Sequence, residues 1–405
     1  MSRQEQSTNK KRVLILTIDY GLGHRSAAEA VAAAMRETYG DDAHIEVVNP
    51  LEDPRAPSLL RDGQDRYDEV VQEIPELYNV SYRISDAGAP STIIENALTL
   101  MLYSVLRDLV RDFEPDVIVT TIFMYQAPLD AVFALSEERV PLVTVITDLI
   151  SIHELWFHDA ADFCLVPTET ARDLALEHGI AADRVQITGI PVDPALAREE
   201  GDRATLRAEL GWDLDRTTIL AVGGKRVSHL TETLHVLNHS GLPIQLVPLG
   251  GGNEDLRQEF EETEWHVPAH CYGFVENMPT MMKASDAIIC KAGGLVVTES
   301  LAAGLPLMLI DVLPGQETGN AEFVVENGAG TLVEDPTGAL ETISHWLADD
   351  GALLKERARN ARRLGHPRAA YEVAEIAWNA QVADRSDSDR SWLIGLFEEN
   401  EVPWR

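Results

Sequence analysis

The stretch Ala287-Ile-Ile-Cys290 followed by Lys291-Ala-Gly-Gly294 decides the fold of this chain. An apolar run of strand length leads into two adjacent glycines, and a helix is predicted to open near Val297-Thr-Glu299. Glycines without a Cβ let backbone N–H groups approach an anion, and the positive end of a helix dipole attracts it. The turn therefore predicts a phosphate site. A tight strand-to-helix connection without a ligand explains the glycines alone equally well.

The residues that follow add polar groups at the same edge of the predicted sheet. After Gly304-Leu-Pro306 comes a second strand, Leu307-Met-Leu-Ile310, and then Pro314-Gly-Gln-Glu-Thr-Gly-Asn320. Ligands of open α/β sheets bind outside the carboxyl ends of parallel strands. The two segments together favour a ligand site over a plain turn.

Strands and helices alternate twice along the chain, which predicts an α/β protein with two parallel, doubly wound sheets. We expect a first domain over 1–197, a linker with a short helix over 198–216, a second domain over 217–368, and a tail over 369–405 that begins with a helix. The predicted strands are Arg12–Thr17, His44–Asn49, Asp116–Thr120, Leu142–Ile146, Phe163–Val166 and Val185–Thr188, then Thr218–Val222, Ile244–Val247, Cys271–Phe274, Ala287–Cys290 and Leu307–Ile310.

Composition excludes several function classes. The chain has 405 residues and a net charge of −34, which disfavours nucleic acid and anionic membranes as partners. Three cysteines without metal-ligand spacing are expected to be reduced core residues. No apolar run reaches membrane-spanning length and the N-terminus is polar, so we expect a cytoplasmic protein.

The loop Asp19-Tyr-Gly-Leu-Gly-His24 lies between the first strand and the first helix. A histidine at a helix N-terminus has its cationic form disfavoured by the dipole, so His24 is expected to stay neutral and to accept a proton from a hydroxyl. Capping of the helix is the alternative role.

A second candidate group follows the strand Leu142–Ile146. Asp148 in Thr147-Asp-Leu149 is either a base or a residue that orients His24, and capping of the next turn is the alternative. Trp156 and Phe157 in His153-Glu-Leu-Trp-Phe-His158 either wall an apolar acceptor site or belong to the core.

Three motifs together resemble the monogalactosyldiacylglycerol synthase and processive diacylglycerol glucosyltransferase family. They are Gly273-Phe-Val-Glu-Asn-Met278, Lys291-Ala-Gly-Gly-Leu-Val-Val-Thr-Glu299 and Pro314-Gly-Gln-Glu-Thr-Gly-Asn-Ala321. The resemblance implies the GT-B fold, with two Rossmann-like domains facing a central cleft and the last helix packing back on the first domain. It also implies relation to the enzyme that adds N-acetylglucosamine in peptidoglycan lipid II synthesis.

The resemblance assigns donor and acceptor roles to residues at matching positions. Phe274 and Val275 match the uracil-binding turn, Glu299 the carboxylate that accepts the ribose hydroxyls, and Gly223-Gly224 the first diphosphate turn. The implied donor set is Gly223, Gly224, Phe274, Val275, Lys291, Gly293, Gly294, Glu299, Gln316, Glu317 and Asn320. The implied acceptor set is Gly21, Gly23, Trp156 and Phe157, with His24 and Asp148 catalytic. Leu22 and Lys225-Arg-Val227 stand where many relatives carry glycine.

The implied activity is inverting, metal-independent transfer of a hexose from UDP-glucose or UDP-galactose to a lipid, with diacylglycerol first among acceptors. No cofactor and no metal are expected, because Asp213-Leu-Asp215 and Asp387-Ser-Asp389 lie away from strand ends. The alternatives are another acceptor, a UDP-sugar 2-epimerase, or a UDP-sugar-binding protein without activity. A helix in the connection from Arg61 to Arg111, with Tyr67, Tyr78 and Tyr82, either covers the sheet or contacts the inner face of the cell membrane peripherally.

Overall fold

The computed structural model describes residues 10–19, 23–58, 60–61, 91–136, 139–198, 201–224, 227, 229–313, 315, 317–383 and 396–398. It divides the chain into two compact units. The first comprises Met1–Pro191 and Ala369–Arg405, and the second comprises Val192–Arg368. In the described part of the chain, no helix combines the length and the apolar character needed to cross a bilayer.

The first unit is built on a parallel sheet of six strands in the order β2-β1-β3-β4-β5-β6. The strands are β1 (Lys11–Leu16), β2 (Ala43–Val48), β3 (Val117–Thr120), β4 (Leu142–Val145), β5 (Phe163–Val166) and β6 (Val185–Ile187). The chain leaves β1 towards β2 on one side and later returns to β3 on the other. The carboxyl ends of β1 and β3 therefore flank a switch point, where open sheets bind ligands.

Helices cover both faces of this sheet. They are α1 (Gly23–Tyr39), α2 (Ser91–Phe113), α3 (Gln126–Leu135) and α4 (Glu169–Glu177). The face of α1 that meets the sheet is rich in alanine, which has the highest helix propensity and lets a helix pack closely. A buried cluster on that face joins α1 to the apolar side chains of β1 and β3.

The last described long helix belongs to the first unit, although it follows the second unit in sequence. This helix, α12 (Ala369–Asn379), packs against α1. Tyr39 and Trp378 stack with ring centroids 3.9 Å apart, and the Tyr371 hydroxyl donates to Glu37 over 2.6 Å. The chain therefore returns to its starting unit to complete the helix layer beside α1.

The second unit has a five-stranded parallel sheet in the order β11-β10-β9-β7-β8. Its strands are β7 (Thr217–Val222), β8 (Ile244–Leu249), β9 (Ala287–Lys291), β10 (Leu307–Asp311) and β11 (Gly330–Leu332). The predicted strand over Cys271–Phe274 is wrong: this region makes only isolated bridges, Leu246 with Ala269 and Leu249 with Tyr272. The sheet is completed instead by β11, which the sequence analysis did not predict.

The helices of the second unit are α5 (Arg203–Leu210), α6 (Leu230–Asn238), α7 (Glu254–Glu262), α8 (Met278–Ala284), α9 (Gly294–Ala302), α10 (Thr318–Glu326) and α11 (Pro336–Leu364). A kink with non-helical backbone at residues 348–351 divides α11 into two helical parts. Residues 198–216, expected to be a linker with a short helix, carry α5. They lie inside the second unit, which begins at Val192. Arg203 and Arg207 of α5 both pair with Asp286, just before β9, over 2.7 and 2.5 Å. These ion pairs explain why the segment folds onto the unit.

Candidate active site

The first unit brings together residues from three neighbouring strand ends. His24 follows β1 and is the second residue of α1, Thr121 follows β3, and Thr147 and Asp148 follow β4. The hydroxyl of Thr121 donates to the His24 carbonyl over 3.0 Å, which ties the start of α1 to the end of β3. The parallel order of β1, β3 and β4 thus joins residues that are far apart in sequence.

Among the described residues, the ring of His24 has two polar contacts, both through Nδ1. The Thr121 carbonyl oxygen lies 2.9 Å from Nδ1 and the Thr147 hydroxyl oxygen lies 2.7 Å from it. A carbonyl oxygen only accepts hydrogen bonds, so Nδ1 carries the proton and donates it. In a neutral ring Nε2 is then unprotonated, and no described residue bonds to it. His24 is therefore arranged to take a proton at Nε2.

Burial favours the neutral form of this ring. It lowers the pKa of His24, while the Asp148 carboxylate and the Thr121 carbonyl act in the opposite direction. A histidine with a pKa below its ordinary value of about 6.5 is an available base at neutral pH. The pKa shift has the direction expected from the sequence, but its cause is burial.

Asp148 is held by an aromatic side chain. The indole N–H of Trp156 donates to Oδ2 of Asp148 over 2.6 Å. Burial raises the pKa of Asp148, and the charge of His24, the Trp156 hydrogen bond and the charge of His153 lower it. Charge on His24 and charge on Asp148 stabilise each other, so Asp148 is suited to support a cationic His24.

The residues expected to form an acceptor site have different environments. Trp156 is 0% exposed and packs among Ile146, Cys164 and Val166, so it supports Asp148 from within the core. Phe157 stacks on His178 at the end of α4, with centroids 5.0 Å apart. Gly23 begins α1 with open space where a Cβ would lie, and Gly21 lies outside the described residues.

In the second unit the turn after β7 is closed by a tight backbone contact. A Cβ on Gly223 would lie 2.7 Å from the Leu249 carbonyl oxygen, and one on Gly251 would lie 2.4 Å from the Gly223 carbonyl oxygen. Gly251 also has a φ of +58°, which favours glycine. Gly224 has open space beside it, as an approach to a ligand requires. Lys225 and Arg226 lie outside the described residues.

The turn after β9 presents the N-terminus of α9. This helix begins at Gly294 rather than near Val297, and its N-cap residue Gly293 has no side chain to cap it. The first N–H groups of a helix have no acceptor within the helix, so those of α9 remain available to an anion. The switch point of this sheet lies between β7 and β9, which places both glycine turns at the edge where ligands bind.

Three predicted donor residues hold this turn in place. Lys291 forms an ion pair with Glu317, and Glu317 also accepts from the Leu313 N–H over 3.0 Å. Asn320 donates to the Ala292 carbonyl over 3.0 Å. The side chain of Lys291 passes directly over Gly293. A Cβ added to Gly293 would lie only 2.8 Å from Nζ of Lys291. The structure thus gives Glu317 and Asn320 a role in shaping the turn.

Glu299 lies in the second turn of α9, whereas the sequence analysis placed it in the first. Burial, with a contribution from the charge of Asp193, raises its pKa to about 7. No described side chain or backbone group hydrogen-bonds to its carboxylate. A half-buried carboxylate without protein partners is suited to accept hydrogen bonds from ligand hydroxyls.

Two further predicted donor residues, Phe274 and Val275, lie before α8. Phe274 is 75% exposed, an unusual state for a large apolar side chain and one that leaves its ring free to stack on a planar ligand. Val275 beside it is half-buried. Gln316 lies outside the described residues, as do Asp387 and Asp389.

Sequence reasoning gave no role to several residues that shape these sites. They include Thr121, the hydroxyl of Thr147, Gly251 and Asp193. The run Gly250-Gly251-Gly252 after a predicted strand was the available signal for Gly251. Thr121 carried the weaker signal of a polar residue at a strand end.

Comparison with known families gives two matches that together span most of the chain. Residues 24–192 match the family described as monogalactosyldiacylglycerol (MGDG) synthase. Residues 224–372 match the glycosyltransferase family 28 C-terminal domain. These matches fall on the two units, and the first begins at His24.

Named relatives align over nearly the whole chain. The probable monogalactosyldiacylglycerol synthase 2 of Oryza sativa subsp. japonica is 32% identical over 378 residues, which are 90% of this chain and 80% of the relative. Monogalactosyldiacylglycerol synthase 3 of Arabidopsis thaliana is 30% identical, with the same two coverages.

Solved structures share the fold. Acinetobacter baumannii MurG aligns with a TM-score of 0.58 and 17% identity, covering 91% of this chain and all of that one. The glycosyltransferase SnogD of Streptomyces nogalater gives a TM-score of 0.53 and 17% identity, covering 91% of this chain and 99% of that one. The predicted GT-B fold class is confirmed.

The expected localisation is wrong. The polar N-terminus predicted a cytoplasmic protein, but the relatives from rice, Arabidopsis and spinach are described as chloroplastic. A polar N-terminal segment does not by itself identify the compartment.

Proposed function

We infer that this chain, which belongs to the monogalactosyldiacylglycerol synthase family and is a UDP-sugar-dependent glycosyltransferase acting on a lipid, transfers glucose or galactose to diacylglycerol. The transfer proceeds in one displacement with inversion at the anomeric carbon. No metal ion takes part. The observation that carries this proposal is the state of His24, whose Nδ1 donates to Thr121 and whose Nε2 is free of described partners.

The proposed chemistry at the acceptor follows from this ring. The acceptor hydroxyl oxygen forms a bond to the anomeric carbon while its proton moves to Nε2 of His24. His24 becomes a cation, and the carboxylate of Asp148 stabilises that charge. Trp156 holds Asp148 in place by its hydrogen bond. Asp148 is thus a positioning and electrostatic residue, and His24 is the general base.

The proposed chemistry at the donor uses backbone groups. The bond between the anomeric carbon and the diphosphate oxygen breaks, and UDP leaves with the electron pair. Free N–H groups at the start of α9 and the turn at Gly223 and Gly224 stabilise its charge. Glu299 accepts from the ribose hydroxyls and Phe274 stacks on the uracil. These groups supply what a divalent ion would otherwise supply.

A membrane lipid as acceptor requires access to a bilayer surface. We propose that the first unit makes a peripheral contact through the start of α2, where Ile93 is 70% exposed. An exposed apolar side chain at a helix end is suited to enter a lipid interface. The net charge of −34 opposes anionic lipids, so neutral lipid surfaces are the expected partner.

The test is a transfer assay with the purified protein. Labelled UDP-glucose and UDP-galactose are each incubated with diacylglycerol, with ceramide, and without acceptor, and the products are separated by thin-layer chromatography. A labelled glycolipid formed only with diacylglycerol supports the proposal. A labelled product formed with ceramide alone would show that ceramide, and not diacylglycerol, is the acceptor. Epimerised UDP-sugar or UDP released at full rate without any lipid contradicts a glycosyltransferase of this kind.

A further inference from the structure

We propose that Thr147 is a positioning residue that keeps His24 protonated on Nδ1 and therefore unprotonated on Nε2. The proposal extends the proposed function, because it concerns the residue that prepares the base. It rests on the contacts of three residues from three strand ends, His24, Thr121 and Thr147.

The two acceptors at Nδ1 select one tautomer. The Thr121 carbonyl lies 2.9 Å from Nδ1 and can only accept. The Thr147 hydroxyl oxygen lies 2.7 Å from the same nitrogen and 3.4 Å from the Thr121 carbonyl oxygen. With the proton on Nδ1, the ring donates to both oxygens, and the Thr147 hydroxyl hydrogen can turn towards the carbonyl. With Nδ1 unprotonated, its lone pair would face the carbonyl lone pair without a hydrogen between them.

The Thr121 carbonyl is itself fixed by its surroundings. The Thr121 N–H donates to the Leu16 carbonyl over 3.0 Å, and its hydroxyl lies 3.1 Å from the Thr17 hydroxyl and donates to the His24 carbonyl over 3.0 Å. These bonds tie residue 121 to β1 and to α1. The carbonyl therefore has little freedom to turn away. Because the Thr147 hydroxyl donates to this fixed carbonyl, its oxygen is left to accept from Nδ1.

The arrangement serves both protonation states of the base. Before transfer the neutral ring offers Nε2 to the acceptor hydroxyl. After transfer Nε2 carries the proton taken from that hydroxyl, while Nδ1 still donates to the same two oxygens. No ring rotation or second proton movement is needed, so the hydrogen bonds at Nδ1 stay in place throughout the step.

Three variants separate this role from a structural one. Thr147→Val removes the hydroxyl at nearly constant shape and should lower kcat about tenfold, the rate equivalent of one neutral hydrogen bond, with KM for the UDP-sugar unchanged. Thr147→Ser keeps the hydroxyl and should restore most of the rate. Thr188→Val is the matched control, because Thr188 is buried and follows β6, and its hydroxyl donates to the Gly189 carbonyl over 3.0 Å without contacting His24.

The pH profile supplies a readout that a packing defect would not give. Loss of an acceptor at Nδ1 disfavours the imidazolium, so the acid limb of kcat in Thr147→Val should move to lower pH. The acid limb of Thr188→Val should stay at the wild-type pH. A Thr147→Val enzyme with wild-type kcat and an unmoved limb overturns the proposal.

Nitrogen NMR of histidine-labelled protein tests the tautomer itself, independently of activity. The His24 signal is identified as the one missing from His24→Ala. The wild type should show Nδ1 protonated and Nε2 unprotonated at neutral pH, and Thr147→Val should show a mixture. A wild-type ring protonated on Nε2 overturns the inference, as does an unchanged tautomer in Thr147→Val. If the tautomer is as proposed but His24→Ala keeps its transfer rate, the proposed base role fails separately.

Discussion

The indole N–H of Trp156 donates to Oδ2 of Asp148 over 2.6 Å, and the ring that makes this bond is 0% exposed. A buried tryptophan thus fixes the carboxylate whose charge acts on His24. Trp156 ends a short 3-10 helix, Glu154–Trp156, in the connection between β4 and β5, and Asp148 lies earlier in the same connection.

Trp156→Phe removes this donor and keeps most of the packing. The carboxylate loses a hydrogen bond that favours its charged form, so the pKa of Asp148 should rise further and kcat should fall at least about tenfold. Single-turnover transfer measures the loss. Trp265→Phe in the second unit is the matched control, since its indole donates to the Phe260 carbonyl over 3.0 Å, away from His24. Equal rates in the two variants would refute the role given to Trp156.

Glu299→Gln should weaken nucleoside binding by about 1.5–3 kcal/mol, because an ionised acceptor is replaced by a neutral one. The pKa of Glu299 is raised to about 7, so wild-type affinity should increase as the pH rises from 6 to 8. Calorimetry with uridine, which has no phosphate to titrate, measures both effects. Glu264→Gln, at an exposed glutamate, is the control. If the affinity of the wild type for uridine does not change with pH, Glu299 does not bind the ribose.

The same substitution should change stability in a pH-dependent way. The pKa of Glu299 lies above the ordinary value of 4.5, so the native state binds more protons than the unfolded state between pH 4.5 and about 7. The free energy of unfolding should therefore fall as pH rises through this window, and Glu299→Gln should flatten that fall. Urea unfolding at pH 5 and pH 8 compares the two proteins. Identical slopes against pH would show that the carboxyl is not held in a raised-pKa environment.

Sugar transfer should survive chelation. The proposed stabilisation of the leaving UDP comes from N–H groups at the start of α9 and from the glycine turn at Gly223, which EDTA does not affect. Rates with and without EDTA, and with added magnesium or manganese, are to be compared. Activity abolished by EDTA and restored by one of these ions would contradict the metal-independent mechanism.

The fold could be read from the sequence because its signal is local. Apolar strands and helical segments alternate, and the glycine turn after β9 follows a strand with four fully apolar residues, Ala287 to Cys290. The sequence predicts a late start for α9 because Gly294, Val296 and Val297 have weak helix propensity. The strand expected at Cys271 has a suitable composition, but it forms only isolated bridges in the structure.

The parts of the site that sequence could not give depend on long-range contacts. His24 and Thr147 are 123 residues apart, and only the order of β1, β3 and β4 brings the hydroxyl to the ring. From the sequence, the polar segment that contains Arg203 and Arg207 is predicted to be a linker, because their common partner, Asp286, is far away in the chain. The sequence allows Trp156 either to face a ligand or to belong to the core, and its burial in the structure decides for the core. The sequence gives the identity of each residue, but these roles depend on a contact with a second residue that only the fold brings near.

The most direct test of the account is single-turnover hexose transfer by His24→Ala. A general base contributes about 10²- to 10⁴-fold in rate, so the variant should transfer at least about a hundredfold more slowly, with UDP affinity and Tm close to those of the wild type. Residual activity should also lose the acid limb that reports the lowered pKa of His24. A His24→Ala protein that melts early, but whose folded fraction transfers the sugar at the wild-type rate, would contradict the account and leave His24 as a structural residue.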